Sequence, residues 1–310
     1  LLIVIEKIFL MKNNLFDLIH SLSRNEKGYF KKYSLKHSPE ADNNYVKLFN
    51  AIEKQKENDD DWLDKKFRKE KFATQLHVTK NYLYKQILKS LESFHYTTFE
   101  TKRLLMQAKL LSAKYLFAQS WEIANKVLAI SNKQEDFPAQ LEALDLKLNL
   151  MLQSSFAKTG QEHITLIYKQ KQLVLDKLTN LNEFQFLRYQ VSILSVKTEK
   201  QSGNKQFDQI IKNYLLQDEK HAKSFRSKVI FYQLNAYCAH FIKNNLKESS
   251  QYLEKQLALF DDEPDKKQLF RKHYLNCLSS LLLLFKDLRD DKRFFATLST
   301  FKDYGRINDK

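Results

Sequence analysis

Glycine and proline are nearly absent from this 310-residue chain, at four and three. Sheets and phosphate-binding loops need turn residues in quantity, whereas helices joined by short turns need few. The shortage argues against a glycine-rich nucleotide loop and points to an all-α fold. Cysteine is also scarce. Cys238 and Cys277 form no CxxC pair and lie within apolar stretches, so they are expected as buried free thiols, which fit a reducing, cytoplasmic compartment. Arginine is the third scarcity, nine against 43 lysines. A formal net charge of +15 attracts polyanions, but arginine is the cation that phosphate and base recognition favour. The lysine excess, beside abundant Asn, Ile, Phe and Tyr, fits AT-rich coding. Long apolar runs are missing too. LLIVIEKIFL (1–10) and CLSSLLLLF (277–285) are too short to span a bilayer, so no membrane partner is expected.

Catalytic signatures are lacking. The chain holds no GxxxxGK[ST], GxSxG, HExxH or GxGxxG, and its eight histidines include no i,i+4 pair. No catalytic, cofactor-binding or metal-ligating residue is therefore nominated, and the expectation is a non-enzyme. Asp59-Asp60-Asp61 lacks the glycine and distal glutamate of a calcium loop. Acids there suit the start of a helix.

What is present is apolar material in quantity. Hydrophobic residues make up 43% and aromatics 13%, which excludes a disordered chain. Residues 1–10 precede the first methionine, Met11, and are read as a non-native upstream extension. Residues 11–96 read as an N-terminal helical unit. Asn13 or Asn14 caps a short helix, Ser23-Arg24-Asn25-Glu26 forms a capping box, and a helix with Tyr29, Phe30 and Tyr33 stops before Pro39. Val46, Phe49 and Ile52 mark another helix. Thr97-Thr98-Phe99-Glu100 gives a second capping box, placing a boundary there.

From residue 97 to 310 the pattern repeats about five times. AKLLSAKYLFAQSWEIANKVLAIS (108–131) reads as two helices joined near Ala118–Ser120, with Ser112 facing Ala124. Further hairpins are expected at 138–181, turning at Thr159–Glu162; at 182–217, turning at Ser202-Gly203-Asn204; at 222–260, turning at Asn244-Asn245; and from Pro264 to about Tyr304, turning at Arg289–Asp291. Trp121-x2-Ala124-x3-Leu128 is echoed by Phe207-x2-Ile210-x3-Tyr214, Leu246-x2-Ser249-x3-Leu253 and Phe294-x2-Thr297-x3-Phe301. The period is roughly 40 residues. The helix around 277–285, apolar almost all round, is expected between neighbours.

The first hairpin resembles the tetratricopeptide (TPR) family. Leu111, Ser112 and Tyr115 stand at its Leu, Gly and Tyr positions, Ala124 and Leu128 at its Ala and Phe positions, and Ala108 replaces its tryptophan. The block LIHSLSRNEKGYF also resembles an uncharacterised group of bacterial TPR-like proteins. The resemblance implies a right-handed solenoid of α-α hairpins that acts as a protein-interaction scaffold, its partner a protein or peptide on the concave surface. Lys109, Gln185, Arg188 and Asn235 are the candidate contacts there. The last helix shows Phe294, Phe295, Leu298 and Phe301, a face expected to fold back or to join a second copy in a homo-dimer.

Residues 65–91, KKFRKEKFATQLHVTKNYLYKQILKSL, resemble a DNA-binding helix-turn-helix. Ala73 matches the small residue of the first helix, Val78 follows the turn, Thr79 caps the second helix, and Leu83 with Ile87 pack it down. His77 replaces the usual turn glycine. Residues 65–89 carry eight Lys or Arg against one Glu. The resemblance implies an alternative function, a DNA-binding regulator with the solenoid as sensor, in which Thr79, Lys80, Asn81 and Lys85 contact DNA.

Overall fold

The computed structural model describes residues 14–37, 44–95, 99–153, 160–197 and 205–307, and no strand occurs among them. Residues 1–10, Asn13, Pro39, Thr97-Thr98, the turn residue Thr159 and the turn at 202–204 lie outside the described residues. No helix among the described residues is long and apolar enough to cross a membrane. By contacts the chain divides into two units, Leu1–Glu100 and Thr101–Lys310.

In the first unit, α1 (Asn14–Ser21), α2 (Arg24–His37), α3 (Asn44–Glu53), α4 (Asp60–Phe67) and α5 (Leu76–Phe94) share one core. Ile19, Phe30, Leu48, Phe49, Leu83 and Ile87 are fully buried in it. The helices begin where short polar side chains occupy orphan backbone donors. Ser23 N–H donates to Glu26 at 2.7 Å, Glu26 N–H returns to Ser23 Oγ at 3.3 Å, and Asp59 accepts from Trp62 N–H at 2.8 Å. The first pair is the expected capping box. The second shows Asp59 as a cap, with Asp60 and Asp61 in the first turn of α4. Glu26 also bonds His95 at 2.7 Å. Its carboxyl is held below the ordinary glutamate range by the Ser23 backbone bond first and by His95 second.

The second unit contains α6 (Glu100–Ala113), α7 (Phe117–Gln134), α8 (Phe137–Gln153), α9 (Gly160–Lys197), α10 (Lys205–Ile211), α11 (Phe225–Tyr237), α12 (Leu246–Asp262), α13 (Asp265–Leu269), α14 (Arg271–Asp287) and α15 (Asp291–Ile307). Long helices pack on their neighbours in order: α7 on α8, α8 on α9, α9 on α11, α11 on α12, α12 on α14 and α14 on α15. Helices α6 and α7 meet where Ser120 Oγ donates to Ala108 O at 2.8 Å, and Ala108, Ser120 and Ala124 are all fully buried.

One turn device recurs where glycine is missing. Tyr115, Glu135, Asn244 and Arg289 have left-handed backbones, with φ of 62°, 51°, 52° and 56°. At three of them the next N–H reaches a carbonyl five residues back: Leu116 to Leu111 at 3.0 Å, Asp136 to Ser131 at 2.9 Å and Asp290 to Phe285 at 2.9 Å. These bonds close the last helical turn and aim the chain into the next helix. The side chain after the left-handed residue then caps the next helix in three of the four turns, Asp136 on Ala139 N–H, Asn245 on Glu248 N–H and Asp290 on Arg293 N–H.

Several expectations are corrected. The first hairpin turns at 114–116, not at Ala118–Ser120, because Tyr115 takes the left-handed position. Tyr115 is therefore 80% exposed rather than on a packed helix face, and Ser112 is only half-buried. The close approach uses Ala108 instead. No break occurs at 181–182, since α9 runs through both expected hairpins. Asn180, beside the expected boundary, makes tertiary bonds: its Oδ1 accepts Lys223 N–H at 2.9 Å and its Nδ2 donates to His221 O at 2.8 Å. With no glycine or proline from Gln161 to Lys197, nothing else stops the helix. Five separate hairpins are thus not found. In the first echo Phe207 and Ile210 are buried, but α10 ends at Ile211 and Tyr214 is 58% exposed. Helix α14 is not enclosed all round either. Cys277, Leu278, Leu281, Leu284 and Phe285 are buried, whereas Asn276, Ser280 and Leu283 are open.

Candidate functional site

The open face of α14 forms one side of a groove of about 680 Å³ in the second unit. Helix α9 contributes Arg188, α11 contributes Gln233 and Tyr237, α12 contributes Ser249, Leu253 and Gln256, and α14 contributes Lys272, His273 and Asn276. Helix α11 ends in a π-helical segment, Cys238–Ile242, whose Lys243 N–H reaches Cys238 O at 3.1 Å. The wider turn places His240 and Phe241 along the same groove, their rings stacked at 4.1 Å between centroids. Such bulges often mark functional sites.

The N-terminus of α11 is fixed from far away in the sequence. Glu135, in the turn between α7 and α8, accepts Phe225 N–H at 2.8 Å and Arg226 N–H at 2.9 Å through its two carboxylate oxygens. Ser224 Oγ accepts Ser227 N–H at 3.1 Å. The free donors of the first turn are thus occupied, and α11 is held as a groove wall.

The electrostatics of the groove are one-sided. No carboxylate lines it, and neither Arg188 nor Lys272 has an ion-pair partner among the described residues. His273 is held below the ordinary histidine range, first by burial and then by the charges of Arg188, Arg226 and Lys272. At the floor, Ser249 Oγ is committed to Ala236 O at 2.9 Å and Cys277 Sγ to Leu253 O at 3.3 Å. Gln256 differs. It is fully buried, and neither Oε1 nor Nε2 has a partner. A buried donor or acceptor left unmade costs about 1–3 kcal/mol.

The thiols are poor nucleophiles. Burial pushes Cys238 up to about 11 and Cys277 up to about 12, so both are protonated near neutrality, as expected of structural thiols. Among the described residues no group of three His, Cys, Asp or Glu is placed to hold a metal ion.

Of the residues expected to contact a partner, only Arg188 lies in this groove. Lys109 is exposed on α6, bonded to Glu142 at 2.7 Å, and borders a separate depression of about 570 Å³ with Asn149 and Gln153. Gln185 is half-buried on α9 outside the groove. Asn235 is half-buried on α11 and donates to Phe231 O of its own helix at 3.1 Å. The residues missed were Gln233, Gln256, Lys272, His273 and Asn276. One signal was available: Gln256 occupies the core register of α12, in series with Ser249, Leu253 and Phe260, where an apolar residue is normal.

The helix-turn-helix geometry is also corrected. The connection from α4 to α5 runs through 68–75, with Ala73–Gln75 in a 3₁₀ turn. His77, Val78 and Thr79 are therefore inside α5. Thr79 caps nothing, since its hydroxyl donates back to Gln75 O at 3.1 Å. Lys80 is held by Asp60 at 2.8 Å, and Asn81 Nδ2 lies 3.4 Å from His77 Nδ1. Lys85 is exposed. Leu83 and Ile87 pack α5 down as expected.

In the last helix, Phe294 packs against the α12–α14 cluster and Phe301 against the cluster around Phe260, while Phe295 stays 64% exposed.

These features define an all-helical protein whose second unit carries a cationic, carboxylate-free groove. No protein-family model matches the chain, and neither a curated protein nor a solved structure does.

Proposed function

We propose that the chain is a TPR-like helical-repeat solenoid acting in the cytoplasm as a non-enzymatic interaction scaffold, with the groove between α9, α11, α12 and α14 as its binding surface. The observation that carries this reading is the groove lining: Arg188 and Lys272 with no ion-pair partner among the described residues, the exposed amide of Asn276, and no carboxylate. Successive helix-on-helix packing supports the repeat reading. Capture from native lysate with the wild-type chain and Lys272→Glu as baits tests it, followed by titration of the captured protein against both. The expected result is a partner at least tenfold weaker on Lys272→Glu. Equal affinity for the two baits overturns the proposal.

The alternative, a DNA-binding regulator using 65–91, rests on the exposed Asn81 and Lys85 of α5. The Lys80–Asp60 pair and the absence of a Thr79 cap count against it. Selection of a single strong operator, lost on Asn81→Ala, would favour it. A homo-dimer through α15 rests on Phe295 alone.

A further inference from the structure

Gln256 sets the chemistry of the groove floor. A primary amide presents one donor and one acceptor side by side, and here both are buried, unpartnered and on the groove lining. Buried polar groups in folded proteins are normally paired, so a complementary edge is missing: one acceptor beside one donor, as on a nucleobase, a lactam or another amide. Hydroxyl and thiol neighbours on the floor cannot supply the donor half of it, because Ser249 and Cys277 already give their hydrogens to Ala236 O and Leu253 O. The other lining groups narrow the ligand further. The stacked His240 and Phe241 rings form an aromatic wall, Phe241 being 48% exposed. Planar rings gain by stacking on such side chains. Arg188 and Lys272 have no ion-pair partner among the described residues, and no carboxylate on the lining competes for them. The space of about 680 Å³ is in the range usual for small-molecule sites.

We infer that this groove binds a small anion carrying a planar ring with an amide-type edge, the chemistry of a nucleoside monophosphate. Gln256 pairs with the ring edge, the exposed Phe241 of the stacked His240–Phe241 pair lies against the ring, and Arg188 with Lys272 take the anionic group. The inference shares its groove with the scaffold reading and does not depend on a protein partner.

Isothermal titration of the full chain tests it, with the four ribonucleoside monophosphates, their nucleosides, inorganic phosphate and an acidic peptide containing glutamine as probes. The expected result is saturable binding of at least one monophosphate, tenfold or more tighter than its nucleoside and than phosphate. Gln256→Leu should weaken that binding at least tenfold while its melting temperature stays level or rises, because a buried unpartnered amide has been removed. Arg188→Ala should weaken the monophosphate and leave the nucleoside unchanged. Binding of no monophosphate overturns the inference, as does equal binding by Gln256→Leu. Phosphate as tight as the nucleotide would reduce the site to general cation attraction. Peptide binding alone would assign the amide to a glutamine side chain instead. A lower melting temperature for Gln256→Leu would show that the amide is satisfied within the protein. In each of these failures, partner loss on Lys272→Glu would still uphold the scaffold reading.

Discussion

Replacing Glu135 by glutamine should loosen the wall of the groove from a position in the α7–α8 turn, ninety residues away in sequence. The carboxylate holds two backbone donors, Phe225 N–H and Arg226 N–H, at 2.8 and 2.9 Å. Glutamine keeps one acceptor oxygen and turns an N–H₂ toward the second donor. Losing one charge-assisted bond costs about 1.5–3 kcal/mol, and reducing the other to a neutral bond costs about 0.5–1.5 kcal/mol more. The loss of favourable charge at the α11 N-terminus is contained in those figures rather than added to them. The total is about 2–4.5 kcal/mol. For a unit of this size each kcal/mol moves the midpoint by about 2–4 °C, so a fall of about 4–18 °C is expected in calorimetry or circular dichroism of the full chain. Amide exchange supplies the local readout: the Phe225 and Arg226 N–H groups should lose protection before the rest of α11 does. An unchanged midpoint, or unchanged protection at those two amides, would refute the assignment of Glu135 as the anchor of α11.

Three further outcomes follow from the same geometry. Tyr115 is exposed at φ 62°, so Tyr115→Gly should raise stability by about 1 kcal/mol by removing left-handed strain, read as a small upward shift in thermal melting; a downward shift would show the ring to be structural. Ala124 is fully buried against Ala108, so Ala124→Glu should cost several kcal/mol through overpacking and an unpaired buried charge, and a near-neutral result in urea titration would contradict that packing. Glu26 has a depressed folded-state pKa, so its contribution is complete above the unfolded value and lost as pH falls through it toward the folded value; Glu26→Gln should flatten the acid limb of a stability–pH curve and leave the alkaline limb alone.

How much of this was readable from residues alone depends on whether the signal is local. Capping is local. Ser23 with Glu26, the acidic helix start at Asp59-Asp60-Asp61, and the turns at Asn244-Asn245 and Arg289 were visible because side chain and backbone lie within a few residues. The all-helical character was legible from the lack of glycine and proline. Tyr115 was not, because a left-handed tyrosine has no sequence signature and its spacing also fits a helix face. The single helix α9 was missed because a period of roughly 40 residues puts a boundary at 181–182, and nothing local shows that the helix runs on through it. The groove was nearly invisible for the same reason. Arg188 and Lys272 are far apart in the chain, and only packing brings them onto one surface. The polar residue at the core register, Gln256, was its one local trace.

Helix α9 has a mechanical consequence. Its 38 residues make a rod of about 57 Å at 1.5 Å per residue, and that rod packs on α8 and on α11. In a chain of separate hairpins, each junction is a place where fraying can stop. Here the junction is replaced by continuous backbone, so breaking contact at one end has to be accommodated by bending or melting the rod. The α8 and α11 packing layers are thereby coupled, and a cut or a flexible insertion near Asn180 should divide one cooperative transition into two.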